Sequence, residues 1–311
     1  MILITNATGF IGRAVVRQLA VEQYEVRCLL QPSRREQRLP KGIPLSVVAA
    51  SLNDLPALRT AMQDVMAIIH LMSEEDPEQE LALLTHAQDT ANLVEAAHEV
   101  GVRRFIYLSR LGANRASAYP LFRVRGEAEA AVRASDLDWT ILQATVTYGP
   151  EDAFTNVLAM LSKVIPFVLP IPEGGLARFQ PLWIADLVRC ILMALNRDDL
   201  AGQTIPLGGP EHFTLEQLVT QVLLALRVRR RLVRVRTPLA KFMSALGDLF
   251  LFRNPVPPWW FDVLAVGSAT ELGSIPRYFG FEPGRFAECL DHLRGKHPWR
   301  RNLLRFVLGY R

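Results

Sequence analysis

Ile2-Leu3-Ile4-Thr5-Asn6-Ala7-Thr8-Gly9-Phe10-Ile11-Gly12 stands near the start of the chain, and the order of residue types in it decides the fold. The short apolar run Ile2–Thr5 reads as a strand, the glycine-containing turn follows, and an amphipathic stretch runs over Phe10–Val21. A second apolar run, Val26–Leu30, comes at once. Strand, turn, helix and strand in about 30 residues form a βαβ unit, the building block of parallel sheets. Gly9 lets a backbone approach a pyrophosphate, and Gly12 lets helix and strand pack closely. The helix start adds unpaired N–H groups and a partial positive charge. The turn therefore predicts a dinucleotide seated on Thr5, Asn6, Thr8, Gly9, Phe10 and Ile11, with a plain tight turn as the alternative.

Outward from this unit the alternation continues. Strand-like runs at 45–49, 65–71, 105–108 and 139–142 are separated by helix-like stretches at 55–62, 78–100 and 120–134. Repeated βα units predict an α/β fold, a doubly wound parallel sheet with helices on both faces. After Gly149-Pro150 the texture changes, with Pro166, Pro170, Pro172, Gly174 and Gly175 close together. A further βα-like signal at 179–195 precedes the turn Gly208-Gly209-Pro210. Thr214 with Gln217 three residues on spells a capping box. This reads as a dinucleotide-binding domain over 1–150 and a smaller substrate or partner region over 151–311, part of it returning to the main sheet.

Half of the 311 residues are hydrophobic and 21% are charged, a globular balance. No run approaches the roughly 18 consecutive apolar residues of a membrane span. The first residues lack a basic segment followed by an apolar stretch and a cleavage site, so no secretory signal is expected. Cys28, Cys190 and Cys289 lie far apart, and the six histidines are scattered without ligand spacing. A reducing, cytoplasmic setting and no metal site are expected. The net charge of +4 hides an asymmetry: residues 227–311 hold 16 Lys and Arg against 6 Asp and Glu. That imbalance predicts either a surface for something anionic or an Arg-rich solvated face.

Several segments together carry a family resemblance: Thr5–Gly12, Val102-Arg103-Arg104-Phe105-Ile106-Tyr107-Leu108-Ser109, Leu137-Asp138-Trp139-Thr140-Ile141-Leu142, Tyr148-Gly149-Pro150, Gln180-Pro181-Leu182-Trp183-Ile184-Ala185-Asp186-Leu187 and Leu207-Gly208-Gly209-Pro210. Over about residues 1–225 the chain resembles an atypical short-chain dehydrogenase/reductase of the NmrA-like kind. It is especially similar to the nucleotide-binding accessory subunit of respiratory complex I and its bacterial relatives. The resemblance implies a Rossmann domain. The family loop TGATGFIG has Asn6 in place of its first glycine, and Asn tolerates positive φ better than other non-glycine residues.

The cofactor choice rests on Leu29-Leu30-Gln31-Pro32-Ser33-Arg34-Arg35 at the end of the second strand. An NAD site usually places Asp or Glu there, whereas arginine nearby accepts a 2′-phosphate. With no acid and two arginines, NADP(H) is expected over NAD(H), through Gln31, Arg34 and Arg35, although relatives often carry Arg where Gln31 stands. The alternative makes Arg34 and Arg35 solvated loop residues. By resemblance, Ser51 and Leu52 line the adenine, and Leu71 and Met72 run past the pyrophosphate and ribose. His70, at the tail of an apolar run, reads as a satisfied core histidine.

Catalysis is where the pattern breaks. Active relatives use Tyr-x-x-x-Lys with a serine that orients the carbonyl. Here Leu121 stands at the tyrosine position and Arg125 at the lysine position. Leucine donates no proton; arginine can hold a ribose hydroxyl but stays charged. Ser109 matches the serine position and Tyr119 lies six residues before Arg125, so Ser109, Tyr119 and Arg125 are secondary candidates, and no catalytic set is assigned. No nucleophile elbow is present.

The last third points to a partner. From residue 233 onward arginine alternates with valine, which suits a strand with one basic face, and 242–252 is largely apolar. In the tail, Trp299, Leu303, Phe306 and Tyr310 fall on one helical face among arginines, which suggests membrane-surface contact through 299–311, with ordinary core of the second region as the alternative. No nucleic-acid motif accompanies the basic run. Two functions are carried forward. One is an NADP(H)-binding, non-catalytic accessory subunit that docks with other protein subunits on a membrane-associated redox complex, peripheral on its cytoplasmic face. The other is a soluble NADPH-dependent reductase or isomerase with an unconventional proton donor.

Overall fold

Short apolar runs become the strands of one parallel sheet in the computed structural model, which describes residues 1–32, 38–71, 85–173, 177–251, 254–257, 259–295 and 297–308. The strands are β1 (Ile2–Thr5), β2 (Val26–Leu30), β3 (Ser46–Ala49), β4 (Ala67–His70), β5 (Arg104–Arg110), β6 (Asp138–Ala144), β7 (Thr147–Tyr148), β8 (Val168–Pro172), β9 (Leu182–Trp183), β10 (Gln203–Leu207) and β11 (Arg231–Val235). Among the described residues the helices are α1 (Phe10–Val21), α2 (Leu55–Ala61), α3 (His86–Glu99), α4 (Pro120–Arg133), α5 (Thr155–Val164), α6 (Ile184–Leu195), α7 (Leu215–Ala225), α8 (Thr237–Phe250), α9 (Trp259–Val266), α10 (Ser274–Phe279) and α11 (Trp299–Val307).

The main sheet runs β10-β6-β5-β4-β1-β2-β3, with every neighbouring pair parallel. Parallel sheets are covered on both faces, so their inner strands read as unbroken apolar runs. Ile2, Leu3 and Ile4 of β1, Ile68 and Ile69 of β4, and Phe105, Ile106 and Tyr107 of β5 are accordingly buried. The strand order reverses between β1 and β4, and that switch opens the crevice at the carboxyl ends where such sheets take ligands. Of the helix expected over 78–100, α3 is the described part, and residues 78–84 lie outside the described residues.

The chain divides into two compact units. The first joins Met1–Ala144 to Ile184–Leu207 and Arg277–Gly280; the second joins Thr145–Trp183 to Gly208–Pro276 and Phe281–Arg311. α6 and β10 thus return to the main sheet, β10 pairing with β6. In the second unit β8 pairs with β11 and β7 with β9, both in parallel. Its small core gathers Leu169, Ile171, Val219 and Leu223, with Leu158, Leu161 and Leu232 packed against them. The capping box is formed: Thr214 accepts from the Gln217 N–H, and the Gln217 side chain accepts from the Thr214 N–H.

The tail forms a helix against its own unit. α11 packs along α5, with Trp299 buried and Leu303 and Phe306 half-buried. An indole is large enough to find cover wherever a neighbouring helix offers it. Tyr310 lies outside the described residues. No helix among the described residues is long and apolar enough to cross a membrane.

Candidate dinucleotide site

The loop between β1 and α1 is built by two unusual residues. Asn6 adopts φ +52°, the left-handed turn its position requires, and its carbonyl accepts the Gly9 N–H at 3.1 Å. Gly12 is where any side chain would collide: a Cβ there would lie 2.2 Å from the Asn6 carbonyl oxygen. Gly9 is different. Its nearest neighbour would be the tip of the Asn6 amide, at 3.0 Å. Gly9 is also the N-cap of α1 and has no side-chain acceptor to give, while the first turn contains no acidic residue. The start of α1 thus keeps the positive end of its dipole uncompensated by side chains of its own turn. Arg13, one turn on, donates to the Thr8 carbonyl, an anchor the sequence reading missed.

Thr5 faces the neighbouring strand. Its hydroxyl lies 2.8 Å from His70 Nδ1 and accepts the Leu71 N–H at 3.0 Å. Thr90 donates to the His86 carbonyl at 2.8 Å, so His70 Nε2, 3.1 Å away, is the ring nitrogen that carries the proton. His70 Nδ1 then accepts from Thr5. Burial, with the Arg125 charge as a lesser cause, pushes His70 down to about 3, so the ring is neutral. His70 is the satisfied core histidine the sequence suggested.

Beside it lies a buried group. The rings of His70 and His86 stack at 5.5 Å and those of His70 and Tyr107 at 5.4 Å. His86 Nε2 lies 3.0 Å from the Tyr107 hydroxyl. Burial, then the charge of Arg125, with His70 a smaller electrostatic contribution in the same direction, holds His86 well below its ordinary value. Burial raises the Tyr107 phenol, opposed by the Arg125 guanidinium that also hydrogen-bonds it. Arg125 is 2% exposed and donates to the Leu108 carbonyl at 3.2 Å. Ser109, buried beside Tyr107, has no well-formed hydrogen bond at its hydroxyl among the described residues. The fold thus brings Ser109 and Arg125 to one place. It leaves Leu121 buried one turn earlier and Tyr119 half-buried at the N-cap of α4. Tyr107 and His86 were missed by sequence reasoning. The available signal was that Tyr107 and Ser109, two residues apart on a strand, share a face.

At the other strand ends, Gln31 is exposed and Ser51 half-buried, its Oγ accepting the Asn53 N–H at 3.3 Å. Leu52 and Leu71 are buried. Arg34, Arg35 and Met72 lie outside the described residues. Gln31, Ser51, Leu52 and Leu71 sit just past the carboxyl ends of β2, β3 and β4. Glycine at position 9 and the uncapped N–H groups at the start of α1 fit a dinucleotide; Thr5 contributes by fixing the loop to β4. No group of His, Cys, Asp and Glu with metal-binding geometry occurs among the described residues.

Comparison with known proteins agrees with this geometry. The family described as NAD(P)H-binding matches residues 7–159, so the chain carries an NAD(P)H-binding domain, and its parallel sheet is a Rossmann fold. Its homologues include the mitochondrial NADH dehydrogenase [ubiquinone] 1 alpha subcomplex subunit 9 of Arabidopsis thaliana, 31% identical over 263 residues, which are 81% of this chain and 64% of that protein. Photosystem II assembly factor Ycf39 of Guillardia theta is 24% identical over 94% of this chain and 93% of its own length. Among solved structures, UDP-glucose 4-epimerase from Thermotoga maritima superposes with a TM-score of 0.73 at 18% identity, over 97% of this chain and 99% of that one. The dTDP-glucose 4,6-dehydratase of Streptomyces venezuelae, with NAD bound, gives 0.73 at 22% identity over 97% of each. At such identities the likeness is one of fold.

Proposed function

We propose that the protein is an NADP(H)-binding accessory or assembly subunit of a membrane-associated redox complex, and that it does not turn its cofactor over by the Tyr/Lys mechanism. The observation that carries this is the pair Leu121 and Arg125. Leu121, at the proton donor's position, is buried and inert, and Arg125, at the lysine's position, is held against the Leu108 carbonyl and the Tyr107 phenol. NADPH, when bound, supplies a hydride; Ser109 and Arg125 are then the side chains available to its nicotinamide end. Tyr107, the phenol nearest Ser109, is fully buried and its acidity is lowered by that burial, so it is a poor substitute donor. The relatives named above, a respiratory-complex subunit and a photosystem assembly factor, support the accessory reading.

The preference for NADP(H) rests on the missing acid after β2 and on Arg34 and Arg35. Calorimetric titration should give tighter binding of NADPH than NADH, and Arg34→Ala with Arg35→Ala should weaken NADPH alone, by about tenfold. Equal affinities in the unmodified protein would remove the assignment. Absorbance of bound NADPH should persist for hours with aldehydes, ketones and quinones. Rapid saturable oxidation would instead favour the soluble reductase or isomerase, with Ser109 and Tyr119 as the residues to test.

A further inference from the structure

Helix α8 has its polar side inward. Leu239, Phe242, Met243, Leu246 and Leu249 are 54, 62, 56, 42 and 75% exposed. At about 100° per residue these five fall within an arc of ~120°, one continuous stripe. The opposite side is small and polar and faces the segment that follows. Ser244 is buried and donates to the Val256 carbonyl at 2.6 Å, while the Asn254 amide donates to the Ser244 carbonyl at 2.7 Å. At Gly247 an added Cβ would come within 3.1 Å of the same Asn254 amide. Lys241 reaches Asp262 at 3.7 Å. The helix is thus anchored by its polar side, and its outward stripe is the orientation its own contacts enforce.

The strand pair β8 and β11, whose second strand leads into α8, also exposes apolar side chains. Phe167, just before β8, is 83% exposed with φ +63°, a conformation that a non-glycine residue adopts only at a cost. It is held there by the Arg231 N–H, which donates to its carbonyl at 2.9 Å. Val168, next to it, and Val233, opposite Pro170 on β11, are exposed as well. A groove of about 320 Å³ is lined by Leu223, Leu224, Val228, Arg229, Arg230 and Arg231. Residues 227–251 carry seven Lys and Arg and a single acid, Asp248. Exposed apolar area beside dense positive charge is complementary to a surface that is apolar within and anionic at its rim.

We propose that α8, with Phe167 and the arginines of 227–236, is an interfacial anchor for an anionic lipid bilayer. The Leu239 to Leu249 stripe seats at the acyl boundary, and Arg229, Arg231 and Arg236 meet lipid phosphates. A second copy of the chain is a poorer occupant. A two-fold interface would set each arginine-rich patch against its own equivalent, like charge on like. The anchor goes beyond the cofactor reading and does not depend on it.

The test is co-sedimentation of the full chain with vesicles of phosphatidylcholine alone, and of phosphatidylcholine mixed with phosphatidylglycerol. The anionic vesicles should bind at least about tenfold more protein, and added salt should erase the difference. Phe242→Ser with Leu249→Ser should lower binding by about tenfold while leaving the melting curve unchanged. Independently, Arg229→Glu with Arg231→Glu should abolish the preference for anionic vesicles. Unchanged binding by both double variants overturns the anchor, as does failure of the unmodified protein to bind either vesicle. A dimer that Phe242→Ser with Leu249→Ser dissociates, without vesicle binding, assigns the face to a second copy; capture by polyglutamate alone, without vesicles, assigns it to an acidic protein.

Discussion

Helices α1 and α8 carry the same kind of apolar stripe and turn it in opposite directions. In α1, Phe10, Val15, Val16 and Leu19 are buried against the main sheet. In α8, Leu239, Phe242, Met243, Leu246 and Leu249 face outward, and Ser244 and Gly247 face in. The difference lies in what each helix finds beside it. α1 is tied by a four-residue turn to the strand it covers, and two wide apolar faces of sheet need helices. α8 follows a two-stranded sheet whose apolar side is already filled by Leu158 and Leu161 of α5 and by Val219 and Leu223 of α7. Periodicity makes an amphipathic helix; it does not say which medium the apolar side meets.

The sharpest way to break the comparison is Val16→Ser in α1. Val16 is fully buried, and a hydroxyl placed there should cost about 3 kcal/mol of unfolding free energy, read from urea midpoints. A loss below about 1 kcal/mol would mean that α1 is not held by its stripe. Next in size is Gly9→Val, at the end of that helix. The nearest atom its side chain meets is the mobile Asn6 amide, so the protein should stay folded while calorimetry finds dinucleotide affinity reduced at least about 100-fold. Unchanged affinity would relocate the cofactor site.

A smaller effect separates the buried polar cluster from ordinary core. His70 takes up its proton near pH 3 in the folded protein and near 6.5 when unfolded, and His86 shifts in the same direction. Below pH 6.5 the unfolded chain therefore binds protons that the folded state refuses, and stability falls as pH drops from 6.5 towards 3. His70→Asn should be less stable near neutral pH by roughly 1–3 kcal/mol, because Thr5 and Thr90 lose their common partner. It should also lose less on acidification; parallel stability curves for the two proteins would remove His70 from the account. Smallest of all is Phe242→Ser in α8, expected to shift stability by under about 0.5 kcal/mol because its ring is already in solvent. A loss comparable to that of Val16→Ser would place the α8 stripe in contact with something.

Much of the first unit was legible, because neighbouring residues determine it. The β1–α1 turn was readable from Asn6, Gly9 and Gly12, whose backbone demands are local, and in the second unit the capping box at Thr214 was readable for the same reason. The burial of Leu121 and Arg125 on one side of α4 follows from their spacing of four. What was not legible depends on residues distant in sequence. Tyr107 meets His86 across 21 residues, and Thr5 meets His70 across 65; neither pair leaves a periodic signal. The tail read as an interfacial helix because Trp299 shares a face with leucine and phenylalanine; the structure buries Trp299 and leaves Leu303 and Phe306 half-buried.

By itself the sequence determined the alternation of strands and helices, the phosphate-type turn and the loss of the Tyr/Lys pair, since each is a matter of residue type at short spacing. Only the tertiary structure decided which apolar stripes are core and which are surface. That outcome depends on how much apolar area the rest of each unit leaves uncovered, a quantity summed over contacts between residues far apart in the chain. For α1 the sum left a sheet to cover, and for α8 it left none.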